Sequence, residues 1–447
     1  MSDPEHRAQT IGSPSARRGR IRFGNPGLIP LLLIAAALSL YLAIPVQSLG
    51  NTEIVFMIFA FGAWLVYSLF FGFAFRSTLM FSALYFIKPL PATFYSLILV
   101  FVFSYVMSFY EQPQRLKLPY PFAFMVLTAA CVQGLVRARD LGDAVIFFTS
   151  TLIVPMVCIL FVNNSRVRKG DFELWIRALT VVAAFLGFVG VILGLLFPDK
   201  RLGSLWFTAM TINGFYTMCF FFGLGLAMKS PDRREKFLWY LAVLLIFMGM
   251  MYTYTRIALV AVVFGIGLMM WRIKRFRWVG ILALLMVPLA IPASMMTRIQ
   301  SSFELDYSFF VRLLAWYHSS LQIAAHPLFG IGIETWKQWY IAIAPFDFLY
   351  AKHPHNVYLK ILLEIGIFGF LAYFLLIWSI LKNYYQTCIR GRHDSFDYMI
   401  LLGMITVLFA CLTDIFIQQY EISVVYWLAL AFIYKRTKEV RCKNSMT

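Results

Sequence analysis

His353-Pro-His355-Asn356 is the stretch whose residue types and spacing could do chemistry. Histidine is the side chain whose proton moves near neutral pH. Here two of them, with an amide, stand at the mouth of an apolar run that extends from Val357 to about Leu381. Where a polar loop meets a membrane helix, an imidazole can take a proton from a substrate arriving from either phase. Nine residues separate Asn356 from Gly366-Ile-Phe-Gly369. The same residues also have a plainer use, with Asn356 capping the helix start and Gly366 and Gly369 forming a small-residue packing face. Glu364, deeper in the run, reads as structural.

Arginine at membrane depth is costly and therefore marks a candidate site. Arg256 begins the apolar run 257–271, and Arg312 follows in the loop that leads to the histidines. Two guanidiniums beside a histidine suit a diphosphate, because arginine grips phosphate oxygens through paired bonds. Alternatively, Arg256 snorkels to lipid phosphate and Arg312 sits on an exposed helix surface. Asp414 lies in the run Phe409 to Ile417, where a carboxylate pairs with an arginine, orients a histidine, or simply ties helices together. Arg137, Arg139 and Arg201 fall in loops predicted on the same side and carry weaker individual signals. His353 and His355 are a bare pair without a matching carboxylate or cysteine cluster, so no metal site is expected. No Walker loop, dinucleotide fingerprint or nucleophile elbow competes, and no cofactor is expected.

The elements that must position these residues are membrane helices. Of 447 residues, 61% are hydrophobic and 13% charged, against roughly 25% charged in a soluble domain. Apolar runs of bilayer length recur from Leu28 to Tyr434 without strand-like alternation, which excludes a closed barrel. The net charge of +18 sits in short loops, as on the cytoplasmic face of a membrane protein, and nothing resembles a nucleic-acid module. The cysteines have no metal or redox spacing and read as packing or lipid-side residues.

Placing the basic loops 229–236, 272–277 and 382–397 in the cytoplasm predicts an all-α polytopic bundle of about 12–14 transmembrane helices. It divides into a disordered cytoplasmic tail (1–22), a transmembrane bundle (23–295) and a periplasmic loop (296–356). C-terminal transmembrane helices (357–434) and a cytoplasmic tail (435–447) follow. Spans are predicted near 28–46, 52–68, 70–88, 93–109, 119–136, 144–162, 174–197, 208–228, 237–252, 257–271, 278–295, 398–417 and 421–434, besides the one after Asn356. Within the loop, Arg312 through Ala325 has helical apolar spacing and reads as an amphipathic helix, with Arg312 and His318 off the apolar stripe. His326-Pro327 ends that helix, and Gly330-Ile-Gly332 makes a turn.

Arg312-x-x-x-Trp316, then His326-Pro-Leu-Phe-Gly-Ile-Gly332, then His355-Asn356 and Gly366-x-x-Gly369 resemble the O-antigen ligase and polymerase superfamily. Thr255-Arg256-Ile-Ala-Leu resembles its Ser-Arg-Gly-Ala-Leu segment, departing at Thr255 and Ile257. The resemblance implies a GT-C-like, metal-independent glycosyltransferase of a bacterial inner membrane whose active site faces the periplasm. The implied donor is a glycan on undecaprenyl diphosphate, and the implied acceptor is lipid A-core or a growing polysaccharide. In that picture His355 takes the acceptor proton and Arg256 and Arg312 hold the leaving diphosphate, with Asn356, Asp414, His353 and His326 in support. A polysaccharide polymerase is the near alternative. A small-anion transporter is the distant one, and it would need charges through the full membrane depth.

Overall fold

The computed structural model describes residues 118–273, 307–343 and 351–444 with short breaks, together with parts of 78–104. The tail 1–22, the spans at 28–46 and 52–68, most of 70–88, the span at 278–295 and the loop start at 296–306 lie outside the described residues.

The described chain is built of helices on apolar runs, some of which begin on a polar cap. Before the loop these are α1 (Pro121–Val136), α2 (Leu141–Phe148), α3 (Val154–Asn164), α4 (Asp171–Leu196), α5 (Ile212–Lys229), α6 (Arg233–Tyr252) and α7 (Arg256–Arg272). α8 (Tyr307–Ala325) and α9 (Thr335–Ile343) belong to the loop. α10 (Val357–Tyr384), α11 (Ser395–Ala410) and α12 (Tyr420–Asn444) complete the bundle, and no strand occurs among the described residues. The Asp140, Asp232 and Asp394 side chains accept backbone N–H bonds at the starts of α2, α6 and α11, satisfying donors that a helix start otherwise leaves bare.

Among the described residues, four stretches are long and apolar enough to cross a bilayer: Leu141–Asn164, where a π-turn joins α2 to α3, then Asp171–Leu196, Arg233–Tyr252 and Val357–Ile389. Two of these helices leave a continuous apolar stripe uncovered, Val181, Phe185, Phe188 and Ile192 on α4 and Phe368, Leu371, Leu375 and Trp378 on α10. Such stripes at helical spacing face lipid, because water would penalise them. The protein is a helical membrane bundle. Inside it, α4 and α6 cross at glycines: a Cβ on Gly187 would lie 2.3 Å from the Leu245 carbonyl oxygen, and one on Gly249 would lie 2.5 Å from the Gly187 Cα. Small residues give membrane helices this closeness where no hydrophobic force between them is available. Cys131, Cys158, Cys219, Cys388 and Cys411 are buried packing residues, whereas Cys442 is exposed.

Three features differ from the sequence expectation. The helix after Asn356 is broken at Gly366 (φ 68°, ψ −175°), and the break is a docking site rather than a packing face. It releases the Leu363 and Glu364 carbonyls, which accept from the N–H groups of Ile331 (2.8 Å) and Gly332 (3.2 Å). The Ile367 N–H in turn donates to the Pro327 carbonyl at 2.9 Å. The loop 327–332 thus supplies the partners that membrane interior denies to broken helix backbone. Gly369 does serve as a packing glycine, with a Cβ there lying 3.0 Å from that of Ala130 on α1.

Secondly, the span expected at 398–417 ends as a helix at Ala410, so Asp414 lies in an irregular connection, 411–419. That connection is tolerated because it is buried by protein: Val357 N–H donates to the Cys411 carbonyl and Asn356 Nδ2 to the Leu412 carbonyl. Thirdly, the span expected at 421–434 continues as α12 to Asn444, through most of the tail read at 435–447. Its basic residues have partners in the bundle, Lys435 on the Asn163 carbonyl and Arg436 on Asp397. The loop helices were only half visible: α8 is the amphipathic helix anticipated, and α9 is an addition. They pack together through Val311, Ala315, Trp336 and Tyr340 over Leu363 of α10, with the Trp336 and Tyr340 rings stacked at 4.6 Å.

Candidate functional site

Asn356 is the residue that assembles the site. Its Oδ1 accepts from the Tyr358 and Leu359 N–H groups (2.9 and 3.1 Å) as the cap of α10, while its Nδ2 donates to Leu412 at 2.9 Å. The Tyr358 hydroxyl donates to the Leu408 carbonyl at 2.8 Å. Together these bonds clamp the connection carrying Asp414 against the histidine loop. From the other side, Trp316 Nε1 of α8 donates to the Pro354 carbonyl at 2.8 Å. Arg312 lies one turn before Trp316, so the same helix face brings its guanidinium into the electrostatic field of both histidines.

The result is a cluster in which one nitrogen of His353, one of His355 and a carboxylate oxygen of Asp414 all lie within 4.8 Å of one another. The two imidazole rings are 4.2 Å apart between centroids. His353 Nδ1 accepts the His355 backbone N–H at 3.2 Å, which puts the proton of a neutral His353 on Nε2. Among the described residues, the buried His355 Nδ1 and Asp414 Oδ2 have no hydrogen-bond partner, while Asp414 Oδ1 accepts from Ile415 N–H at 2.8 Å. Orphaned buried acceptors are rare in folded proteins and call for an explanation. His355 also sits in the left-handed region at φ 49°, as do Tyr254 (52°) and Glu334 (53°), each flanking a charged group of this end. Non-glycine residues hold that conformation at a cost of about 1–3 kcal/mol, and they gather where a site fixes a side chain direction.

The electrostatics follow from burial and from the arginines. Burial, then the neighbouring His355 and other cations, hold His353 well below the ordinary imidazole range. Burial and Arg312 push His355 down to about 4. Burial raises Asp414 to about 6, against the pull of its Ile415 N–H bond and of Arg312 and Arg201. At neutral pH the cluster therefore holds two neutral imidazoles and one carboxylate. This donor set has the composition of a divalent-metal site, which the bare histidine pair in the sequence did not suggest. The field does not suit a cation, since two guanidiniums already act on the carboxylate.

Arg201 is the residue that sequence reasoning underrated. Its Nε donates to the Thr253 carbonyl (3.0 Å) and its Nη2 to Thr255 Oγ1 (2.8 Å), so it lies against the turn that precedes Arg256. Arg256 is the first residue of α7 and is half-buried there. The hydroxyls of Tyr252-Thr-Tyr-Thr255 were the available signal, because a threonine pair beside a lone arginine offers it local acceptors. Glu364 is structural as read: it forms a buried group with Lys360 (2.7 Å) and Glu334, whose carboxylate lies 2.5 Å from the same ammonium. His326 is not in the histidine cluster. It lines a separate cavity with Arg137, Arg139 and Trp339.

With this geometry in place, comparison with known families is informative. The family model described as O-antigen ligase matches residues 241–374. Over that stretch the chain is similar to an O-antigen ligase domain. It spans most of α6, all of α7 to α9 and α10 past its break, and so includes Arg256, Arg312, His326, His353, His355 and Asn356. Arg201 and Asp414 lie outside the matched stretch; only the fold brings Asp414 to the histidines and Arg201 into the field of Asp414. The match supports a membrane enzyme of the O-antigen ligase or polymerase type in general. No curated protein matches it.

Proposed function

We propose that this enzyme moves a glycan from undecaprenyl diphosphate to an acceptor hydroxyl on the periplasmic face of a bacterial inner membrane, and that it is an O-antigen ligase acting on lipid A-core. The observation that carries the reading is the orphaned His355 Nδ1 beside an orphaned Asp414 oxygen, under Arg312, at the mouth of α10. His355 accepts the acceptor O–H proton as the acceptor oxygen bonds to the sugar's anomeric carbon. The anomeric C–O bond to the diphosphate breaks, and the electron pair leaves with the diphosphate, which Arg256 and Arg312 hold where negative charge develops. Asp414 steadies the imidazolium, Arg201 supports the turn before Arg256, and His353 shapes the loop. An imidazole held near 4 is a reluctant base in the empty site. The bound diphosphate offsets Arg312 and raises its basicity when the proton must move.

No metal is required on this reading, because the guanidiniums supply the charge stabilisation that a cation would otherwise give. The charged candidates gather at one end of the bundle, which favours transfer chemistry over an anion pathway. Polymerisation would use the same groups, so the acceptor is decided by the lipopolysaccharide and secreted-polysaccharide profile of a deletion strain. Unligated lipid-linked long chains indicate the ligase. Single units still attached to core indicate a polymerase.

A further inference from the structure

We propose that the cavity beyond the C-terminus of α1 binds an anionic sugar, one bearing a phosphoryl or carboxylate group, as a subsite for the glycan. This rests on the glycan-transfer reading above. The cavity has a volume of about 200 Å³ and is lined by Arg137, Arg139, Gln322, His326, Thr335 and Trp339, with the Gly330-Ile331 backbone at its base. It is smaller than the roughly 300–1,000 Å³ of pockets for drug-sized ligands, so it suits one sugar-sized group.

Its charge is uncompensated. Among the described residues no carboxylate pairs with Arg137 or Arg139. The nearby acids are already engaged: Asp140 caps α2 and Asp143 pairs with Lys337 at 3.1 Å. Arg137 is held in place, with Nη1 donating to the Gly330 carbonyl at 3.1 Å and the Gln133 amide oxygen, in the orientation that satisfies both groups, accepting from its Nε at 2.8 Å. Arg139 is exposed and makes no such bond. An anchored guanidinium beside an exposed one is a fit for an oxyanion, which arginine binds through paired N–H groups.

The opposite wall fits the rest of a sugar. Trp339 is half-buried and its ring is braced by Trp336 at 5.2 Å and His318 at 6.3 Å. It presents a fixed amphipathic surface of the kind that binds apolar faces with polar edges. Gln322, His326 and Thr335 add donors and acceptors around it. The floor connects to the reaction helix, because Ile331 N–H is bonded to the Leu363 carbonyl just before the break in α10.

The test uses the full chain in detergent, with calorimetry and saturation-transfer NMR. The probes are mannose 6-phosphate, mannose, glycerol 3-phosphate and inorganic phosphate. Mannose 6-phosphate should bind at least ~10-fold tighter than each of the other three, since two good contacts are worth about this much. Arg139→Ala should weaken mannose 6-phosphate at least ~10-fold, and Trp339→Ala should abolish its advantage over glycerol 3-phosphate. Arg139 is chosen because it bonds nothing in the fold, and its elution and thermal profile should match the unaltered chain. The same binding should persist in His355→Ala, which separates this site from the transfer mechanism. Equal binding of all three phosphates would identify a headgroup or free-phosphate site and overturn the proposal. It is equally overturned by mannose binding as tightly as its phosphate, by no binding of mannose 6-phosphate, or by an unaffected Arg139→Ala variant.

Discussion

Asp397 and Asp414 stand at opposite ends of α11, both almost fully buried, and they are treated in opposite ways. Asp397 accepts from the Tyr384 hydroxyl at 2.8 Å and from Arg436 Nη2 at 2.8 Å, with Arg436 Nε in ion-pair contact at 2.7 Å. Around it the same end of the bundle is thoroughly paired, with Glu173 between Arg177 and Lys229, and Glu235 against Arg177 and Ser230. At the histidine end one Asp414 oxygen and one His355 ring nitrogen are without a bond among the described residues, and His355 itself holds left-handed backbone. A buried carboxylate satisfied on every side is holding helices together. One left open, beside an open imidazole, is waiting for a substrate.

The largest predicted effect attacks the scaffold beneath that open end. Gly366→Ala puts a Cβ 2.1 Å from the Leu328 carbonyl oxygen, at a φ that L residues avoid. The loop 327–332 cannot then dock on the broken helix, and the expected destabilisation exceeds about 4 kcal/mol. Thermal unfolding in detergent checks it. Gly369→Ala, which meets only side chains, should cost less.

The carboxylate comparison is sharpened by the matched pair Asp397→Asn and Asp414→Asn. Arg436 is one-third exposed, so loss of its partner should cost roughly 1–3 kcal/mol of stability while turnover per folded molecule stays near normal. Asp414→Asn should leave thermal stability unchanged or raised, because it removes an unsatisfied buried charge, and should lower turnover by about 10²-fold. Equal behaviour of the two variants breaks the distinction drawn between the two ends.

Much of the framework around these two ends was legible in the sequence. The apolar runs placed spans at 119–136, 174–197 and 237–252, and the helices run 121–136, 171–196 and 233–252, within four residues at each end, because bilayer length leaves little freedom. Asn356 as a cap and Arg256 at a helix start were likewise readable from type and position. What sequence could not reveal was long-range: Asn356 reaching Leu412, Trp316 reaching Pro354, and Arg201 reaching Thr255 are tertiary bonds without local periodicity. The Gly366 break escaped for a related reason. Gly366-x-x-Gly369 serves packing at one glycine and chain reversal of the hydrogen-bond pattern at the other, and the spacing alone does not distinguish them.

Smaller effects probe the electrostatics of the open end. Burial and Arg312 hold His355 at about 4 and burial raises Asp414 to about 6, so kcat/KM, which reports the free enzyme, should fall first near pH 6 as Asp414 protonates and again near pH 4 as His355 does. Arg312→Gln should move the His355 limb upward, since the guanidinium is the second cause of the shift. The sign on stability is the same way round. The folded state disfavours the imidazolium, so His355's contribution is intact above the unfolded value of about 6.5 and is lost as pH falls towards 4. A pH–rate profile of both proteins checks the shift. Arg256→Lys keeps the charge and loses the planar fork, so transfer should drop severely if Arg256 grips a diphosphate, whereas an arginine that only snorkels accepts lysine with little loss.

The central claim, that His355 is the base, is tested most directly by His355→Ala as purified full-length enzyme with a lipid-linked glycan donor. The account predicts turnover per folded molecule reduced on the order of 10²–10⁴-fold, with donor binding and thermal stability retained. His353→Ala and His326→Ala should lose far less. Near-normal turnover in His355→Ala, with the loss appearing instead as lower abundance or a lower melting temperature, would contradict it and return His355 to a residue of the helix cap.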